Sequence, residues 1–347
     1  MRGTPLHLHF AGLVAGVVLA AAVLSSSRSF AEELPWLVSP VPAAPIAPGV
    51  PAVPGVPAWL QAHIGDGDGQ ISAVVLQRAR AFYRQKAGAG AIANPCYFAM
   101  DATRPGGNGR RFYVICEANR TFRAVPSGHG SGRHLPDMPD FSNGARCAKN
   151  FSNAEDSKLT TGGGYVTAEI RTSFKGYYRA GGRFEPLLRS FLQFEGEGAT
   201  ANARKRAIGG HPAAIVSWIC RIKSPSSPYA DEDGYVPYGK LIDYSAGRSN
   251  GCTSWPPSDA GNILALAQNK PTTVYIYPEA SDIVAVGRAV RAGKSPSGAG
   301  LYWNASCLRE IGAPNFWPRE TLEPALVQYK EDNPPARPEP LPICKSP

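Results

Sequence analysis

The apolar and polar positions fall into distinct regimes along the chain. Phe10 to Leu24 is a run of about 15 apolar residues, short for a membrane span of roughly 20. Pro35 to Pro57 carries eight prolines in 23 residues with Ala, Val and Gly between them, a polyproline-II pattern rather than a packed element. Val75, Leu76, Ala79, Phe82 and Tyr83 recur at helical spacing, which predicts a helix over Ser72 to Lys86 closed by Ala87-Gly88-Ala89-Gly90. From Cys96 the period becomes two. Cys96 to Asp101 and Arg111 to Glu117 are short aromatic and β-branched runs separated by Gly106-Gly107-Asn108-Gly109, a β-hairpin pattern. Residues 118–200 read as short strands alternating with Gly-rich loops, and Arg206 to Ile222 as a further strand region. Asp259 to Gln268 reads as a helix and Thr272 to Tyr277 as a strand. The remainder, 280–347, reads as a helix around Ile283 to Ala292, aromatic stretches at Tyr302-Trp303 and Phe316-Trp317, and a Pro-rich end. No internal repeat is present.

Composition narrows the class. The 347 residues include 37 Gly and 33 Pro, so turns are abundant and a mainly β fold with a few peripheral helices is expected. Hydrophobic content of 43% excludes a disordered chain, and 18% charged residues argues against a coiled coil. Arg2, the apolar run and Ser29-Phe30-Ala31 before Glu32 have the layout of a secretory signal peptide over residues 1–31. An uncleaved anchor is the alternative, and it would be the chain's only membrane contact. The expected organisation is a signal peptide at 1–31, a Pro-rich tether at 32–60, a catalytic domain at 61–278 and a C-terminal extension at 279–347. Export places the protein in the periplasm or cell envelope. The net charge of +9 suits a polyanionic surrounding such as a cell wall, and without a long Lys/Arg run it does not indicate nucleic acid.

Export also bears on the cysteines. Cys96, Cys116, Cys147, Cys220, Cys252, Cys307 and Cys344 form an odd set, so an even subset pairs and one thiol is left. The turn between Cys96 and Cys116 is centred at residue 106, which predicts a cross-hairpin disulfide. Asp66-Gly67-Asp68-Gly69-Gln70-Ile71 has the look of a calcium loop. In that register, however, Ile64 and Val75 fall on the first and last ligand positions, so a helix-capping turn is the reading, and no cofactor or metal is expected. Gly247-Arg248-Ser249-Asn250-Gly251-Cys252 puts a thiol on a turn whose backbone N–H groups are free to point inward, an arrangement that suits a nucleophile beside an oxyanion hole. Excluding the leader, the histidines are His63, His129, His134 and His211. His211 lies 41 residues before Cys252, far enough for two strands to return it. A structural histidine and a disulfide-bonded Cys252 are the alternative.

Several stretches between residues 72 and 278 together resemble the L,D-transpeptidase catalytic-domain family, in its YkuD-like murein transpeptidase branch. They are the 76–83 helix, Arg111-Phe112-Tyr113-Val114, Gly128-His129-Gly130-Ser131-Gly132, Phe151-Ser152-Asn153, Thr161-Gly162-Gly163-Gly164-Tyr165, Arg206-Ala207-Ile208 with His211, and Gly247 to Cys252. The resemblance implies a sandwich- or barrel-like β domain. It implies Cys252 as nucleophile, His211 as general base, and Gly251 with the Cys252 backbone as oxyanion donors, while Ser249 and Asn250 shape the turn. His129, Gly130 and Arg248 would support or position substrate. The implied substrate is a peptidoglycan stem peptide. Cys252 would form a thioester at its third residue, which an amine of a second stem or of a wall-linked protein then takes. Water as acceptor would give an L,D-carboxypeptidase. Two positions depart from the family pattern. Ser254 stands where an Arg is usual and Pro212 where a Gly is usual, which leaves the substrate carboxylate to Arg248 or another arginine. Two readings from other classes remain. In a zinc D-Ala-D-Ala peptidase, Ser127, His129 and Gly132 would open the metal motif, but Pro136 stands where the acid belongs and Asp137 is one residue late. The other is a non-catalytic wall-binding module with Cys252 in a disulfide.

Overall fold

The computed structural model describes residues 53–245, 247–335 and 339–345. The expected signal peptide and most of the Pro-rich tether lie outside these. Helix α1, Ala58–Gln61, begins inside the expected tether and buries Leu60 completely, so packed structure begins before residue 61. Helix α2, Ala73–Gly88, follows with Ser72 at its N-cap. The turn before it is closed by arginines. Arg110 Nε donates to Asp68 at 2.8 Å, Arg104 lies 3.5 Å from Asp66, and the Gln70 side chain accepts from Gly67 N–H at 2.9 Å.

The fold is mainly sheet. Strands β1 (Cys96–Asp101), β2 (Arg110–Cys116) and β3 (Thr121–Pro126) form an antiparallel meander. β4 (Asn150–Ser152) stands apart. β5 (Gly163–Ala180) and β6 (Arg183–Gly196) are long antiparallel partners, and β7 (Gly209–Pro212) continues from β6. β8 (Ala214–Lys223) and β9 (Tyr235–Asp243) pair with each other, and β9 joins β5 at Tyr177 and Tyr178. β10 (Thr253–Trp255) runs parallel to β7, and β11 (Thr273–Tyr277) lies between β5 and β1. The main sheet order is β10-β7-β6-β5-β11-β1-β2-β3. Just past β3, Gly128 N–H donates to the Ser254 carbonyl at 2.9 Å, joining the two ends of that path.

Every residue of β1 and β11 is buried because the sheet is covered on both faces. Phe98 and Met100 pack with Phe112, Val114, Trp255 and the face of helix α3, Pro257–Ala267, that carries Ile263 and Leu264. Tyr97 and Ala99 pack on the other side against Val75, Leu76 and Ala79 of α2. The outer half of β5, the start of β6, and β8 with β9 project beyond this core as a twisted ribbon. Leu188 is 56% and Trp218 74% exposed there.

The segment expected as a C-terminal extension packs against the main core. Helix α4 (Ala280–Arg291) contributes Ile283 and Val286 to the main core, and Trp303 joins them. Helix α5 (Ala305–Ile311) carries Cys307, bonded to Cys147. β12 (Asn315–Trp317) pairs in parallel with β4, and helix α6 (Arg319–Asp332) buries Leu322 and Leu326 with Phe141 and Leu159. The physical reason is apolar surface, because the 279–347 segment supplies large side chains that the sheet and the 141–159 loops need in order to be covered. No helix among the described residues is long and apolar enough to cross a membrane.

Three disulfides are present. Cys96–Cys116 closes the hairpin between residues directly opposite in register, with Cα atoms 4.0 Å apart. Cys147–Cys307 ties the 141–159 loops to α5, and Cys220–Cys344 ties β8 to the C-terminal stretch. Cys252 is the single free thiol. Three disulfides in one chain are consistent with an exported protein.

Candidate active site

β7 and β10 bring the two expected catalytic residues together. Their parallel register sets Thr253 beside Gly210 and Ser254 beside His211, so Cys252, one residue before β10, lies diagonally from His211 at one end of the sheet. Both side chains line a cleft of about 810 Å³. The approach is tight, because a Cβ on Gly210 would stand 2.0 Å from the Trp255 ring.

The turn 247–252 is fixed from both sides. Ser249 N–H donates to the His129 carbonyl at 2.8 Å, and Ser131 N–H donates to the Ser249 carbonyl at 2.7 Å. Ser249 Oγ donates to the Cys252 carbonyl at 2.5 Å and accepts from Gly251 N–H at 3.2 Å. Gly251 has φ of +108°, a conformation that a side chain disfavours. Its N–H is therefore committed to the turn. Among the described residues no hydrogen bond is made by the N–H of Asn250 or Cys252, which leaves those two as the amides open to an oxyanion. Arg248 donates to the Asn143 carbonyl and lines the cleft wall.

His129 does not reach the cleft. It is fully buried, with Arg111 Nη2 donating to its Nδ1 at 2.6 Å and its Nε2 on the Gly144 carbonyl at 3.0 Å. Burial and the Arg111 charge hold its pKa well below the usual histidine value. Arg111 is itself wholly buried, and burial pulls its pKa down to about 10. His129 is thus a strut under the turn, and Gly130 is the close approach beside it, where a Cβ would stand 2.5 Å from the Lys158 carbonyl.

Burial favours the uncharged forms of both Cys252 and His211. Burial pushes the Cys252 thiol up to about 11, against the opposing pull of the Gly209 amide and the Arg206 and Arg189 charges. Burial and the Arg189 charge bring His211 down to about 4. The thiol Sγ donates to the Ala207 carbonyl at 3.4 Å rather than to the imidazole. His211 Nδ1 faces Arg189 Nη2 at 2.9 Å and the Pro212 carbonyl at 3.0 Å.

Sequence reasoning missed Arg189 on β6, and with it the cleft wall made by the ribbon. Ile215 of β8, Ile242 of β9 and Tyr244 line the cleft with Phe191. No period-two apolar alternation marks this stretch of β6, so Arg189 carried no local signal in the sequence. Arg206, noted only as part of a motif, is also here. It donates to the Leu159 carbonyl at 2.7 Å and to Thr161 Oγ1. Ser254 is buried with its hydroxyl unpartnered under Gly128. Lys158, Arg189, Lys205, Arg206 and Arg248 outnumber Glu155 and Asp156 around the cleft, and Lys205 is paired with Glu155 and Asp156 with Lys330. The cleft is therefore built to attract an anion.

No protein-family model matches the chain, and neither a curated protein nor a solved structure matches it.

Proposed function

We propose that this protein is an exported cysteine L,D-transpeptidase acting on peptidoglycan stem peptides. The observation that carries the reading is Cys252, the single cysteine outside three disulfides, sharing a cationic cleft with His211. In this reading the thiol passes its proton to His211 and attacks the carbonyl of the third stem residue. The oxyanion forms at the Cys252 and Asn250 amides. His211 then returns the proton to the leaving D-Ala amine. The thioester passes to an amine of a second stem or of a wall-linked protein. Water in the same role would make the protein an L,D-carboxypeptidase, and the acceptor product distinguishes the two. The finer fold description, the sandwich- or barrel-like β domain of that family, belongs to this proposal and is supported by the Gly128–Ser254 hydrogen bond between the sheet's ends.

A zinc peptidase reading centred on His129 is disfavoured because both ring nitrogens already have partners, Arg111 and the Gly144 carbonyl. The wall-binding module with Cys252 in a disulfide is disfavoured by the free thiol. The test is mass spectrometry of the protein incubated with a tetrapeptide stem or a carbapenem. An acyl adduct on Cys252 is expected. A protein left unmodified by both, or an adduct on another residue, would sink the proposal.

A further inference from the structure

Around His211 Nδ1 the structure sets a strict donor and a strict acceptor, with the Tyr244 hydroxyl, which can play either part, further off at 3.4 Å. Arg189 Nη2, at 2.9 Å, can only donate, so it requires a bare Nδ1. The Pro212 carbonyl, at 3.0 Å, can only accept, so its contact with the ring requires Nδ1–H, while Arg189 Nη2 also reaches this carbonyl at 3.4 Å. A neutral imidazole satisfies one of them at a time. With Arg189 engaged the proton sits on Nε2, the nitrogen that makes no hydrogen bond among the described residues, and such a ring cannot take a proton from Cys252. The thiol meanwhile rests on the Ala207 carbonyl.

Arg189 is anchored but not neutralised. Nε donates to the Ala214 carbonyl at 2.6 Å and Nη1 to Ser173 Oγ at 2.7 Å, while Nη2 also approaches the Tyr244 hydroxyl at 3.3 Å. No carboxylate pairs with it among the described residues. Its guanidinium therefore faces the cleft as a charge held by neutral groups.

We propose that Arg189 is a positioning residue that sets the His211 tautomer, and that an anionic carboxylate on the donor substrate releases it. Resting on the stem-peptide reading above, the carboxylate is that of the terminal D-Ala. It takes Arg189 Nη2 in place of Nδ1. His211 then loses its Nε2 proton to cleft water and gains one at Nδ1 from water, with no net change. Nδ1–H donates to the Pro212 carbonyl, and bare Nε2 accepts the Cys252 proton. The base is thereby completed only when a donor with the right terminus is bound.

The test is long-range proton–nitrogen correlation NMR on the full ¹⁵N-labelled chain. In the resting protein His211 is expected with Nε2 protonated and Nδ1 bare, and in Arg189→Met with Nδ1 protonated. In a Cys252→Ala protein the tetrapeptide acid should convert the ring to the Nδ1–H form, and the same stem as its C-terminal amide should not. In acylation of Cys252, the acid should outpace the amide by about 10- to 100-fold, the worth of a hydrogen bond to a charged group, and Arg189→Met should bring that ratio near one. A merely structural arginine would slow both stems alike. An Nδ1–H tautomer in the resting protein, an unchanged tautomer in Arg189→Met, or equal behaviour of acid and amide would overturn the proposal. Correct resting tautomers without any acylation would fault the stem-peptide reading and the release step, and leave the tautomer assignment standing.

Discussion

At the scale of single residues, the site is set by burial more than by charge pairing. A thiol pushed up to about 11 and an imidazole brought down to about 4 leave both groups uncharged near neutrality. Alkylation of Cys252 by iodoacetamide should therefore rise steadily from pH 6 to pH 9, without the inflection near 6.5 that an ordinary histidine gives. A plateau beginning near pH 7 would contradict this. The same shift bears on stability. His211 titrates lower folded than unfolded, so the unfolded chain binds the extra proton as pH falls. This contribution is complete above the unfolded value of about 6.5 and is lost as pH drops toward 4, by roughly 3 kcal/mol at most. In melting curves the wild type should lose up to that much stability relative to His211→Gln between pH 7 and pH 4, and a constant difference across that range would contradict it. Cys252→Ala is expected to abolish acylation with little change in melting temperature, because its backbone is held by Ser249 and His129 rather than by the thiol.

At the scale of elements, the disulfides have different roles. Cys96–Cys116 spans 20 residues across one hairpin, and Cys96→Ser should lower stability by about 3 kcal/mol, read as a fall in melting temperature. Cys220–Cys344 instead holds the projecting ribbon. A Cys220→Ser, Cys344→Ser double variant should be cut by trypsin first at Arg221 and Lys223, while the core stays resistant. Cleavage spread evenly over the chain would argue otherwise. The hairpin was legible because the turn glycines centre it and the pair faces across it. Helices α2, α3 and α4 were legible from spacing, within a few residues at each end. The length of β5 and β6 was not. Beyond the core their residues lose the inward apolar alternation, so 18 and 14 residues of continuous strand read as short strands and loops. Cys252 and His211 stood out in local motifs. Arg189 lies in that unpatterned ribbon, and only the return of β7, β8 and β9 brings it to the imidazole.

At the scale of the whole molecule, the C-terminal segment completes the core. A chain ending at Pro278 would lose Ile283, Val286 and Trp303 from the main cluster, the β12 partner of β4 and the Cys307 partner of Cys147. Such a chain should show no cooperative thermal transition. A sharp unfolding curve would mean that 61–278 stands alone. The order of the cysteines along the chain adds a demand on biosynthesis. Cys96 and Cys116 emerge as neighbours and can close at once. Cys147 and Cys220 must wait for Cys307 and Cys344, and Cys252 emerges while both are still open. In any compartment that oxidises thiols during emergence, Cys220 is the nearest open wrong partner for Cys147, and Cys252 is the nearest for Cys220. Cells that make this protein well should therefore need a disulfide isomerase as much as an oxidase, to return Cys252 to the reduced state in which the fold stores it.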